Sequence, residues 1–189
     1  IVGNYNLIKQ QLRALKISIK LGKLKNIDKQ NFKKQLLVYD VPLRFKSPFN
    51  TPIKYKSKYI IKSLNICSYL AKEKKIVGFI NCPIDKKEIF KNKSFGVTEF
   101  LAKKLGVLGK ETMLIYNKNL SVSPVTTHIK IKTVARQISK KKIIDKLITI
   151  NKFFIKKFKI KPKIGVIGLN PHNNELRKNS EENTIIIPA

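Results

Sequence analysis

Acidic residues are scarce in this chain. Only 11 Asp and Glu stand against 41 Lys and Arg, which leaves a formal charge of +30 over 189 residues. Cysteine is scarcer still, with Cys67 and Cys82 alone. Two cysteines make no disulfide framework, so a reducing compartment is the expectation. No run of about 18 apolar residues occurs, which argues against a membrane-spanning helix. No charged, then apolar, then small-residue stretch marks a secretory leader. A cytoplasmic protein is therefore expected. Arginine is nearly missing from the basic set, being limited to Arg13, Arg44, Arg136 and Arg177. Nucleic-acid readers lean on guanidinium forks. A basic nucleic-acid-binding protein thus stands as a rival reading that rests on net charge alone. The lysines alternate with apolar residues, as in KKKIIDKLITINKFFIKKFKIK (140–161). Lysines so placed cover the wet face of amphipathic helices. The excess of Lys, Ile and Asn follows equally from A/T-rich codons, so a diffuse coat of positive charge is expected.

What is present is globular: 42% of residues are hydrophobic and 28% charged, in a chain long enough to bury a core. Short β-branched runs alternate with helical periods. Strands are expected at 35–40, 76–80, 113–117, 120–125 and 163–169. A helix at 59–74 would place Ile60, Ile61, Leu64, Cys67 and Ala71 on one face. Pro83 suits the opening of a short helix at 84–91. Thr98 to Lys104 reads as a helix stopped by Gly106. Ser139 is expected to cap a long helix that turns Ile143, Ile144, Leu147, Ile148, Phe154, Ile155 and Phe158 inward. The stretch 42–58 reads as a surface excursion. Strands alternating with helices mean α/β, with a mostly parallel sheet.

The chain has two histidines, His128 and His172, and each follows an expected strand. Ligands bind outside the carboxyl ends of strands in open parallel sheets. Two imidazoles so placed could converge on one divalent cation, or each could be a lone polar loop residue. Asn170 and Glu175 flank His172 as outer partners or as ordinary turn residues. At 79–90 a strand, turn and helix start could dock a phosphate on free amides with Lys86 nearby, or could be plain loop chemistry. Thr98 sits at a position suited to a helix cap.

Taken together, these stretches resemble one family, 4-hydroxythreonine-4-phosphate dehydrogenase of pyridoxal phosphate biosynthesis. NCPIDKKEIF (81–90) looks like the family's Gly-Pro-x-Asn/His-Lys turn, and GVTEFLA (96–102) like its Gly-His-Thr-Glu-Phe motif. MLIYN followed by SVSPVTTHI (113–129) resembles its Met-Met-Leu strand and Thr-Thr-His motif. IGVIGLNPHNNE followed by EENTIIIPA (164–189) resembles its Gly-Leu-Asn-Pro-His and Glu-Glu-x-x-x-Ile-Ile-Pro segments. The clear similarity covers 76–189, and residues 1–75 match loosely.

The resemblance implies a partial dehydrogenase over 1–189 with the α/β/α fold of isocitrate and isopropylmalate dehydrogenases, its sheet incomplete. It implies a homodimer, NAD, and a divalent metal that could be Zn, Mg, Mn or Co. The implied reaction oxidises the secondary hydroxyl of 4-phosphooxy-threonine, a small phosphorylated hydroxy amino acid. Loss of CO2 then gives an aminoketone phosphate. His128 and His172 match two metal ligands, and Thr98 matches a substrate contact. The sequence departs from the family at Val97, where a substrate-contacting histidine is usual. It departs also at Cys82, Asp85, Asn173 and Asn174. Val97 leaves open a sister dehydrogenase acting on threonate or erythronate 4-phosphate. The family's glycine-rich N-terminal turn and its third metal histidine find no match, so an internal fragment, inactive alone, is expected.

Overall fold

The computed structural model describes residues 1–24, 27, 35–90, 96–170, 172 and 177–189. It divides into two units, Ile1–Gly109 and Lys110–Ala189.

The first unit is built on a three-stranded parallel sheet: β1 (Val2–Gly3), β2 (Leu21–Lys23) and β3 (Leu36–Asp40), in the order β1-β3-β2. Leu21 lies opposite Leu36, and Val2 opposite Tyr39. β3 confirms the strand expected at 35–40, and as the central strand it carries Val38 into the core beside Val41. Helix α1 (Tyr5–Ala14) follows β1 directly. Its cap is Asn4, a buried residue whose side chain accepts from the Leu7 amide at 2.9 Å and donates to the Val41 carbonyl at 3.0 Å. The Asn4 amide donates to the Tyr59 hydroxyl at 2.9 Å, which ties α1 to the next helix. Burial holds the Tyr59 phenol above its ordinary pKa, against the opposing pull of that amide. Asp40 closes the end of β3. It accepts from the Tyr5 amide at 2.9 Å and pairs with Lys23 at 3.1 Å. The amide is the first cause of its lowered pKa; partial burial opposes it, and Lys23 adds to it.

Helix α2 (Ile53–Lys72) begins six residues before the expected start at 59. It packs on β1, on α3 (Lys86–Phe90) and on α4 (Val97–Leu105). Leu64 and Leu70 are buried with Ile89, Phe90 and Ala102, and the Phe90 and Phe100 rings lie 5.5 Å apart. α4 stops at Gly106, whose φ of 71° is the left-handed turn glycine accepts without strain.

In the second unit, a 3-10 turn (Ile131–Thr133) leads into α5 (Val134–Gln137) and then α6 (Lys140–Phe158). Ser139 caps α6 as expected, accepting from the Lys142 amide at 3.2 Å. Ile143 is buried, and Leu147 and Phe154 are partly covered. Ile148, Ile155 and Phe158, expected inward, are exposed, although Phe158 stacks on Tyr116 with ring centres 5.1 Å apart. A wide helical turn, Glu182–Ile186, ends the described chain.

Four expected strands are corrected. Residues 76–80 and 163–169 form no ladder, and residues 113–117 and 120–125 meet only in one antiparallel bridge, Ile115 with Val122. The physical reason is common to all. An apolar run becomes a strand only when a neighbour satisfies its backbone, and no other described segment pairs with these. Val77 is 95% exposed, Ile80 99% and Ile167 87%.

Candidate functional site

The turn at 81–90 is organised by Asp85. Its carboxylate accepts from the amides of Lys87 at 2.9 Å and Glu88 at 3.2 Å. Asp85, not Pro83, therefore opens α3, which starts at Lys86. Two of the amides in that stretch, those of Lys87 and Glu88, are thereby occupied by the chain's own anion. Lys86 stands exposed at the first position of that helix.

Val97 and Thr98 lie in the first turn of α4, but Thr98 does not cap it. The cap is Gly96, in extended conformation, with no side-chain bond to the helix amides. A Cβ at Gly96 would meet Glu99 Oε2 at 2.7 Å, so glycine allows that carboxylate to fold back over the helix start. The Thr98 hydroxyl is exposed and bonds to no described residue, while Val97 is partly covered.

Both histidines belong to the second unit. His128 is exposed, with a φ of 55°. That left-handed conformation is uncommon outside glycine, although histidine is among the residues that tolerate it. His172 is exposed in a turn, and its amide donates to Asn170 Oδ1 at 3.1 Å. Of the two roles open to Asn170, the structure shows the turn. Glu175, Asn173 and Asn174 lie outside the described residues. Neither imidazole ring makes a hydrogen bond to a described residue.

The neck of the His172 loop is closed by a residue that sequence reasoning passed over. Glu182 is 3% exposed, and its Oε1 accepts from the Leu169 amide at 2.9 Å. Its Oε2 is buried with no partner. The available signal was acid scarcity: Glu181–Glu182 is the chain's one adjacent acidic pair, just ahead of Ile185–Ile187.

Beside α6 lies a cavity of about 740 Å³, lined by Leu114, Tyr116, Leu147, Phe154, Ile164 and Val166 among others. Lys146 also lines it and donates to the Glu111 carbonyl at 3.1 Å. Burial pushes the Lys146 ammonium below its ordinary pKa, Lys142 pushes the same way, and Glu111 opposes both.

Chemically, two imidazoles with unengaged rings suit a divalent cation. No group of three His, Cys, Asp or Glu that could hold a metal occurs among the described residues. Gly165 and Gly168 stand in an exposed segment with no described helix start beside them, so that segment offers a pyrophosphate no helix N-terminus.

Solved structures place the fold. It is the α/β fold of a 4-hydroxythreonine-4-phosphate dehydrogenase from Klebsiella pneumoniae (TM-score 0.83, 23% identity) and of one from Burkholderia phymatum (TM-score 0.80, 23% identity). In each case the likeness covers 99% of this chain and 58% of the other. The family model described as pyridoxal phosphate biosynthetic protein PdxA matches residues 1–189, and the chain belongs to that family. A curated relative from Aquifex aeolicus, named 4-hydroxythreonine-4-phosphate dehydrogenase, is 37% identical over 188 residues, covering 96% of this chain and 58% of its own. One of the same name from Sulfurihydrogenibium is 43% identical over 122 residues, covering 62% of this chain and 37% of its own. The chain thus spans little more than half the length of the longest of these matches.

Proposed function

We propose that this chain contributes the two-histidine part of the metal centre, and substrate contacts, to a metal- and NAD-dependent 4-hydroxythreonine-4-phosphate dehydrogenase. The observation that carries the reading is the pair His128 and His172, each in a motif of that family and each with a ring no described residue engages. A divalent cation bound there supplies electrostatic stabilisation of negative charge on a substrate oxygen.

The remaining work falls to side chains of the chain itself. His128 and His172 bind as neutral imidazoles, each through one ring nitrogen. The Thr98 hydroxyl, exposed and unused by its helix, can donate to a substrate oxygen and accept from a substrate hydroxyl or ammonium. Lys86, also exposed, offers a point charge to a phosphate. Val97 can do neither, so any recognition a histidine would give at that position is absent from this side chain. That residue favours keeping threonate or erythronate 4-phosphate as a second substrate class. No described residue is assigned to NAD, and homodimer formation is part of the proposal.

Titration calorimetry with Zn2+ or Mn2+ tests the reading. His128→Ala and His172→Ala should each lower affinity at least tenfold while leaving the helical circular dichroism unchanged. Equal binding by both variants would overturn it.

A further inference from the structure

We propose that the cavity beside α6 binds a medium-chain alkyl carboxylate: the apolar face of the helix takes the tail, and the Lys146 ammonium takes the carboxylate. The cavity, of about 740 Å³, lies wholly within the second unit, and neither histidine lines it. Its size falls within the range of small-molecule sites, about 300–1,000 Å³. Such a site is additional to the dehydrogenase reading and does not depend on it.

The floor is set by the sequence of the helix. Ile143, Leu147, Ile150 and Phe154 recur at spacings of four, three and four along α6, so they fall on one helical face, and all four line the cavity. Ile143 is buried and the other three are partly covered. Leu114 and Val125 line it from one wall, and Ile164 and Val166 from the other. The serine hydroxyls of the first wall are spent on its own turn. Ser121 donates to the Asn117 carbonyl at 3.1 Å, and Ser123 to the Met113 carbonyl at 2.7 Å. An alkyl tail on this floor therefore meets mostly carbon.

The charge of the lining is of one sign. Lys118, Lys146, Lys161 and Lys163 line the cavity, and among the described residues no Asp or Glu does. Lys118, Lys161 and Lys163 are exposed, whereas Lys146 is partly buried, on α6 between Ile143 and Ile150. Its ammonium has three donors, and one goes to the Glu111 carbonyl at 3.1 Å. Burial, the chief cause of its lowered pKa, has taken water from the group; Lys142 adds to the effect and Glu111 opposes it. A carboxylate returns what burial removed, as a charge-assisted bond to one of the other donors. Positive charge over an apolar floor selects an amphipathic anion. Inorganic phosphate would gain nothing from the floor, and an alkyl ammonium would be repelled.

Calorimetric titration of the 189-residue chain with hexanoate, octanoate and decanoate tests the site. Affinity should rise about tenfold for every two methylenes added, since each is buried against apolar surface. Decylammonium, with the same tail and the opposite charge, should bind far more weakly than decanoate. Lys146→Met keeps the stem, removes the charge and should cost decanoate about tenfold or more in affinity, while Lys146→Arg keeps the charge and the binding. Lys156→Met, on the same helix but outside the lining, removes an equal charge and should change nothing, which separates the site from the diffuse positive coat. Amide shifts on adding decanoate should centre on Leu114, Ile150 and Val166. No binding, binding indifferent to tail length, equal binding of decylammonium, or equal losses in Lys146→Met and Lys156→Met would each overturn the proposal. Shifts of the same amides on raising the protein concentration alone would also overturn it, by placing a second copy of the chain in the cavity.

Discussion

The two units treat the same kind of sequence differently. In the first, LLVYD (36–40) becomes the centre of a parallel sheet, and Val38 is fully buried. In the second, KIGVIGL (163–169) is richer in β-branched residues, yet it forms no ladder and leaves Ile167 at 87% exposure. The contrast shows what an apolar run encodes: a gain on burial, not a conformation. A strand's hydrogen bonds reach outside the strand, so its existence depends on residues far away in sequence. Helices close their own bonds. Accordingly α2 and α6 form in their respective units whether or not a sheet lies beside them.

The largest effect should come from charging the two kinds of run. Val38→Asp places an unpaired carboxylate in the core of the first unit and should cost about 3–5 kcal/mol. Ile167→Asp puts the same charge into solvent and should stay within about 0.5 kcal/mol. Urea unfolding of each variant decides it. A cost at Ile167 as large as that at Val38 would mean that the second unit has a buried sheet after all.

Two caps sharpen the comparison further. Asn4 and Ser139 each accept from a helix amide, but only Asn4 is buried and only Asn4 also donates to a carbonyl, that of Val41. Ser139→Ala should cost about 1 kcal/mol. Asn4→Ala strands a buried carbonyl as well and should cost about 2–3 kcal/mol. Comparable losses in thermal unfolding would show that burial does not separate the two units at their helix starts.

Exposed apolar runs also have a consequence in solution. Val77 and Ile80 present exposed apolar side chains on backbone that pairs with no described residue, a surface that invites association between chains. Val77→Lys with Ile80→Lys should reduce concentration-dependent association in sedimentation velocity, with little change in unfolding free energy. Unchanged association would assign it to another surface.

Legibility in the sequence follows the same division. The α6 start was readable because Ser139 precedes a helical period, and the α4 stop because Gly106 follows one. Helix α1 went unread although Asn4 marks its start, since its apolar positions are sparse. Pro83 drew attention from Asp85, the residue that actually caps α3. For the site, the motifs pointed to His128, His172 and Thr98 as residues, and the structure adds that Thr98 is not spent on capping. Glu182 was marked in sequence only by the scarcity of acids, because its function in the fold is a bond to Leu169 across an intervening loop. The strands failed for the reason given above: pairing is non-local.

The smallest expected effect is in pH dependence, where the units should share a sign and differ in range. In the first unit the folded pKa of Asp40 is lowered, chiefly by the Tyr5 amide. The native state then binds this proton less tightly than the unfolded chain does. Its contribution is present above the ordinary aspartate range of about 4 and is lost as pH falls through the folded value. Asp40→Asn should flatten that acid limb slightly, the side chain being partly exposed. In the second unit the folded pKa of Lys146 is lowered, chiefly by burial. Here too the unfolded chain holds the proton more tightly. Stability therefore rises as pH climbs from the lowered folded value toward the ordinary lysine range of about 10.4. Lys146→Met keeps the buried stem, removes the charge and should abolish that rise. Urea midpoints taken from pH 3 to 10 for the two variants, subtracted from those of the native chain, give the two limbs separately. An alkaline rise that persists in Lys146→Met would place its origin outside the cavity beside α6.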